Sequence, residues 1–195
     1  MLTDHRIALS RLLGIPVLAY ALFVEPPKVI SPLLADVAEL VGLFLLGTAA
    51  FGRIWCLVFI AGKKNNALLT DGPYSVVRNP LYVFTFLGVV GFGLAVENPL
   101  LALILGILFA TYYPFVVRRE EKHLESIFGA VFQEYCRRTP RWIPDFRLYH
   151  EPQTMTVYPA KIRQGIFDAM WFVWAFLAKE AVEEFRQLGV LATWF

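Results

Sequence analysis

Charge is scarce in this sequence. Asp, Glu, Lys and Arg make up 17% of its 195 residues, where a soluble domain carries about 25%. With 57% hydrophobic residues and a mean hydropathy of +0.56, the shortage excludes an ordinary water-soluble domain and points to one small integral membrane domain. A net charge of only +2 gives no case for nucleic acid as a partner. The basic residues lie beside apolar runs, which suits a bilayer surface. Cysteine is also scarce. Cys56 lies in an apolar run and Cys136 in a polar one, without the spacing of a metal site or a disulfide framework. Both read as inert thiols. His5, His123 and His150 stand apart from one another and from both cysteines, so no metal site is expected. No Gly-x-Gly-x-x-Gly follows a strand-like run, which excludes a soluble dinucleotide-binding domain, and P-loop, HExxH and GxSxG motifs are missing. There is no internal repeat.

What the chain has instead is long apolar runs. Residues 7–24 form a first one, interrupted by Arg11 and lacking a small-x-small cleavage site, so a retained span is expected rather than a signal peptide. Glu25-Pro26-Pro27-Lys28 breaks it. A second span covers residues 37–60, near the roughly 20 residues a bilayer needs, with Arg53 close enough to its end to snorkel. Residues 82–96 and 100–117 form a hairpin around Glu97-Asn98-Pro99. Lys63, Lys64 and Arg78 lie between spans two and three. Arg118, Arg119, Lys122, Arg137, Arg138 and Arg141 follow span four, and His5 and Arg6 precede span one. This bias predicts a cytoplasmic N-terminus and both polar blocks on the cytoplasmic face.

The fourth helix is expected to run on past the membrane, with Leu124, Ile127, Phe128 and Val131 as one apolar stripe, and to end at Pro140 and Pro144. The expected fold is an all-α integral membrane bundle of about four transmembrane helices with added cytoplasmic and interfacial helices. Residues 1–144 form the membrane domain, 145–160 a loop, and 161–195 an apolar and amphipathic tail, read as an interfacial helix.

Two polar blocks bracket the hairpin. The first is Gly72-Pro73-Tyr74-Ser75-Val76-Val77-Arg78-Asn79-Pro80-Leu81-Tyr82. Pro80 suits a first helical position. Backbone groups freed beside it are tolerable only if buried in protein or turned to a ligand. Tyr74 and Tyr82 add aromatic faces and hydroxyls, so the block suits a polar cofactor with an aromatic base. The same residues would also serve as an interfacial anchor of Tyr and Arg. The second block is Arg118-Arg119-Glu120-Glu121-Lys122-His123-Leu124. Neighbours on a helix point about 100° apart, so one glutamate is expected to face a site. A solvated helix end with local ion pairs is the alternative.

Together the blocks resemble the isoprenylcysteine carboxyl methyltransferase family. That family shows L-V-x-x-G-P-Y-x-x-V-R-H-P-x-Y, against Leu68-Leu69-Thr70-Asp71-Gly72-Pro73-Tyr74-Ser75-Val76-Val77-Arg78-Asn79-Pro80-Leu81-Tyr82 here. It then shows E-E-x-x-L-x-x-x-F-G-x-x-Y-x-x-Y, against Glu120, Glu121, Leu124, Phe128, Gly129, Phe132 and Tyr135, followed by Pro140-Arg141. The match covers residues 45–144. The resemblance implies S-adenosylmethionine as cofactor, held by Leu68, Leu69, Thr70, Tyr74, Asn79, Pro80, Leu81, Tyr82 and Glu120. It also implies a small lipophilic substrate entering from the bilayer, and direct methyl transfer resting mainly on positioning. Two positions depart from the family pattern. Asn79 replaces its usual histidine and can hydrogen-bond but not titrate. Val116 stands where eukaryotic members have an arginine for the substrate carboxylate. Arg118 and Arg119 are the candidates to take over that role, with Asn79 beside them.

No base with a tuned pKa is evident near the blocks, which favours an acceptor that is already ionised, such as a carboxylate. Phospholipid N-methylation stays open. So does an NADPH-dependent reductase, since membrane sterol reductases share an R-x-P-x-Y element, and so does a non-enzymatic scaffold.

Overall fold

The computed structural model describes residues 31–63 and 66–189. The span expected over residues 7–24, together with His5 and Arg6, lies outside the described residues, as does Lys64. The described chain is helical throughout, with no strand among its residues. Its elements are α1 (Pro32–Ile60), α2 (Pro73–Val76), α3 (Pro80–Ala95), α4 (Pro99–Phe128), α5 (Ala130–Arg138), a 3-10 turn (Phe146–Leu148), α6 (Pro159–Ala169) and α7 (Trp171–Gln187).

Helices α1 and α4 are long and apolar enough to cross a membrane, and α3 is a shorter apolar helix. Prolines open all three, at the one turn where a missing N–H costs nothing. The outer faces of these helices are apolar. Phe44 is 73% and Phe51 77% exposed on α1, and Phe115 is 64% exposed on α4. Rows of bare aromatic and aliphatic side chains of this kind suit acyl chains, not water.

Helix α3 packs between α1 and α4. Small residues allow it: a Cβ on Gly42 would lie 2.8 Å from the Gly91 carbonyl oxygen. Such close backbone approach is how apolar helices associate where lipid removes the hydrophobic drive. At the hairpin turn the Asn98 side chain caps α4 by accepting from the Leu101 N–H at 2.9 Å.

The fourth helix does run on past its apolar part in one piece, but it stops at Gly129 and not at Pro140. Gly129 has φ +52, a left-handed conformation that ends a helix without strain in glycine, and α5 leaves in a new direction. The expected stripe does not form a buried face. Ile127 and Val131 stay exposed, while Phe132 and Tyr135 are the buried residues of α5.

The tail folds as two helices docked on the bundle, α6 against α1 and α7 against α1 and α3. Phe172, 2% exposed, joins Leu46, Phe92 and Ala95 in the main core. Arg53 does not snorkel. Its guanidinium turns inward and donates to the carbonyls of Ala169 at 3.2 Å and Asp168 at 3.0 Å, and to Thr85 Oγ1 at 2.5 Å. Those carbonyls close the last turn of α6, where a helix lacks internal donors and favours a cation. On α7, Lys179 is buried between Glu183 at 2.6 Å and Glu180 at 3.1 Å.

Candidate functional site

The turn between α1 and α3 starts at Gly72, whose φ of +58 favours glycine. Its backbone groups would be orphaned by the short α2, and the chain after α5 takes them up. The Gly72 N–H donates to the His150 carbonyl and the Arg78 N–H to the Pro140 carbonyl, both at 2.8 Å. The Asp145 N–H donates back to Val76 at 2.9 Å, and the Tyr135 hydroxyl donates to the Tyr74 carbonyl at 2.7 Å. Residues 140–150, read from sequence as the end of a helix and the start of a loop, are therefore the strap that fixes the first polar block.

The far end of α4 brings both glutamates to this turn. Glu121 is buried. Its carboxylate meets Arg141 Nη2 at 2.7 Å and Arg78 Nη1 at 3.4 Å, and accepts from Asn79 Nδ2 and Arg141 Nε, each at 3.2 Å. Glu120, one residue earlier, accepts from the Tyr82 hydroxyl at 2.7 Å. Both glutamates are engaged, but they point apart as helical spacing requires. The turn is broad enough for two residues about 100° apart to reach opposite sides of it, Arg78 and Asn79 on one and Tyr82 on the other.

On the Glu120 side the site is aromatic. Tyr82 lies 5.4 Å from Tyr113, centroid to centroid, and Tyr113 stacks on Phe109 at 3.8 Å. Tyr113, Val117 and Glu120 recur at helical spacing on one face of α4, the signal by which Tyr113 was findable. Val116 packs against the same cluster with Trp142 and offers no donor. Tyr74 completes this side. Its hydroxyl is fully buried and has no hydrogen-bond partner among the described residues. Burial raises its pKa well above the usual 10.0, and the neighbouring Cys56, Tyr135, Glu120 and Tyr82 push the same way. A buried hydroxyl without a partner is costly and marks a place where a ligand atom would be welcome.

The remaining expected residues divide. Pro80 is fully buried at the start of α3. Leu69 and Leu81 pack around Tyr74, Cys56 and Phe59, and Leu68 and Thr70 are half-buried in the approach to the turn. Arg118 and Arg119 are exposed and form no ion pair with another described residue. The guanidiniums at the turn belong to Arg78 and Arg141. Among the described residues no group of three His, Cys, Asp or Glu side chains is placed to hold a metal ion.

A chemistry follows from these two sides. The Glu121 side is an ion cluster that holds the turn to α4, with Arg78 Nε left without a hydrogen-bond partner among the described residues. The Glu120 side gathers a carboxylate, two tyrosine hydroxyls and aromatic faces.

The sequence profile of the phospholipid methyltransferase family matches residues 40–131, from α1 into α5. The chain is 39% identical over 193 residues to the cobalt-zinc-cadmium resistance protein CzcN of Cupriavidus metallidurans, covering 97% of this chain and 87% of that protein. It is 36% identical over 192 residues to the nickel-cobalt-cadmium resistance protein NccN of Alcaligenes xylosoxydans xylosoxydans, covering 98% of this chain and 89% of the relative. A shorter match, 31% over 87 residues, links 44% of the chain to 37% of a protein-S-isoprenylcysteine O-methyltransferase of Schizosaccharomyces pombe. No solved structure matches the chain. The chain therefore belongs to one family with CzcN and NccN, and its match to the phospholipid methyltransferase profile over residues 40–131 supports a methyltransferase.

Proposed function

We propose that the protein methylates a small lipid-like or isoprenoid acceptor, with S-adenosylmethionine as donor and a carboxylate as the favoured acceptor group. The observation that carries this reading is the Tyr82–Glu120 pair at 2.7 Å beside the buried, unpartnered Tyr74 hydroxyl. These groups suit the cofactor: an aromatic base for Tyr82, hydroxyls or an ammonium for Glu120, and a hydrogen-bonding atom for Tyr74. Leu68, Leu69, Thr70, Asn79, Pro80 and Leu81 complete the proposed lining. When bound, the cofactor supplies an electrophilic methyl on a sulfonium. The chain's part is to hold and orient, and to keep water out through the apolar packing of Leu69 and Leu81. A carboxylate acceptor needs no base, which agrees with Asn79 in place of a titrating residue.

Four spans, with both polar blocks facing the cytoplasm, are part of this proposal, as are the bilayer and a lipophilic substrate as partners. From the names of CzcN and NccN we take the cellular setting to be resistance to divalent metal ions.

The test is calorimetric titration of S-adenosylmethionine into the detergent-purified protein, with Glu120→Ala alongside. Saturable binding to the parent, weakened by more than about tenfold in the variant, is expected. Binding of NADPH in its place would turn the assignment to a reductase, and binding of neither would leave a scaffold as the better reading.

A further inference from the structure

A second cleft opens on the other side of the strap. It has a volume of about 610 Å³, and its walls include Arg78, Arg137, Arg138 and Arg147 against one carboxylate, Asp145. Glu134 partly neutralises it, meeting Arg138 at 2.7 Å and Arg137 at 3.5 Å. Each guanidinium carries five donors, so one carboxylate shared by two arginines leaves most of them available. Arg147 forms no ion pair with another described residue. Arg78 is engaged through Nη1 with Glu121 and Cys136, so the cleft relies on Arg137, Arg138 and Arg147. Arginines converging on one concavity match the charge and the flat, multi-oxygen geometry of a phosphate.

The rim says where that phosphate comes from. Ile143, on the cleft wall, is 81% exposed, and Phe146, beside Arg147, is 72% exposed. Free phosphate would give these side chains nothing to bury in. A phospholipid places its phosphate at the depth of interfacial arginines and its acyl chains just beyond, where Ile143 and Phe146 would insert.

We propose that this cleft is a binding site for the phosphate of an anionic phospholipid, separate from the Tyr82–Glu120 edge, and that it seats the strap on the membrane surface. The site rests on the arginines and the apolar rim, and is independent of the methyl-transfer reading.

The full-length protein in detergent would be incubated with equal amounts of phosphatidylglycerol and phosphatidylcholine, and bound lipid read by native mass spectrometry. Wild-type protein is expected to retain phosphatidylglycerol in about tenfold preference. The preference should disappear in Arg137→Ala/Arg138→Ala/Arg147→Ala and persist in Lys161→Ala/Arg163→Ala, which removes charge from α6. A thermal midpoint of the triple variant close to wild type shows that the loss is local. The single variant Arg147→Gln should weaken retention part way. Equal preference in the triple variant and wild type overturns the proposal, as does no preference in wild type. Inorganic phosphate is titrated separately. If it binds saturably, needs the same arginines, and no lipid is preferred, the site takes free anions and the lipid assignment is overturned.

Discussion

Glu120 and Glu121 are adjacent in sequence, yet their surroundings differ in kind. Around Glu121 the polar groups answer one another: a carboxylate with two guanidiniums and an amide, all within 3.4 Å. Around Glu120 the surroundings are aromatic, and the nearby Tyr74 hydroxyl is buried with no partner. A network of paired charges does structural work, because removing any member strands the others. The Tyr74 hydroxyl, buried with no partner among the described residues, has unused hydrogen-bonding capacity, and in a native protein that capacity calls for an explanation. The contrast makes Glu121 a residue of the fold and leaves Glu120 its proposed role toward a ligand.

The largest effect expected from this division is on stability at Glu121. Glu121→Gln keeps the shape and removes the charge that holds Arg78 and Arg141. Breaking a buried pair in this way costs on the order of 3 kcal/mol, read as a lowered thermal midpoint in detergent. A double-mutant cycle with Arg141→Gln should show coupling above about 1 kcal/mol. Additive losses would mean that Glu121 is not the centre of the cluster, and the contrast with Glu120 would fail.

Next comes Tyr82→Phe, which removes one hydroxyl from the Glu120 side and keeps the ring against Tyr113. A hydrogen bond to a charged group is worth about 1.5–3 kcal/mol, so affinity for S-adenosylmethionine should fall about tenfold. Stability should fall less than in Glu121→Gln. If Tyr82→Phe melts the protein as badly as Glu121→Gln while leaving affinity intact, the two sides have the same role.

Arg53→Met probes a region remote from both glutamates. It deletes the donors to Asp168, Ala169 and Thr85, each worth about 1 kcal/mol net, while keeping a long apolar side chain. Hydrogen exchange of α6 and the start of α7 should quicken, with that of the Asn79–Glu121 turn unchanged. Exchange quickening at both places would show that the tail and the site are coupled.

Much of this was legible in the sequence. The apolar runs, the breaks at Pro80 and Pro99, and the unbroken passage of α4 beyond its apolar part follow from hydropathy and proline placement alone. So does the convergence of the two polar blocks, since a tight hairpin at Glu97-Asn98-Pro99 brings its two ends together. The partners were not legible. Residues 140–150 look like a loop because they carry prolines and no periodicity, yet their backbone groups pair with a turn about 60–80 residues away, and local patterns hold no record of that. Arg53 looked like a snorkelling residue because its nearest chain neighbours are apolar. Its actual partners are carbonyls more than a hundred positions later. Arg118 and Arg119 stood beside the glutamates in sequence, but helical geometry turns them outward and gives the turn Arg78 and Arg141.

The smallest effect is the most diagnostic for the ligand side. In the folded protein burial, then Cys56, Tyr135, Glu120 and Tyr82, hold the Tyr74 hydroxyl in its neutral form well above its ordinary pKa of 10.0. The unfolded chain loses that proton near pH 10. Above that pH the folded state binds more protons than the unfolded one, so stability is complete below pH 10 and declines as pH rises beyond it. Tyr74→Phe removes this contribution. Thermal midpoints recorded between pH 8 and 11 should therefore fall less steeply in the variant. Near neutrality the variant should be more stable by about 1 kcal/mol, because it no longer buries a hydroxyl that has no partner among the described residues. Burial raises Tyr135 in the same direction, so part of the alkaline decline persists in Tyr74→Phe. Parallel curves would show a hydroxyl already open to solvent, and the Glu120 side would then lack the unused capacity that distinguishes it from the Glu121 cluster.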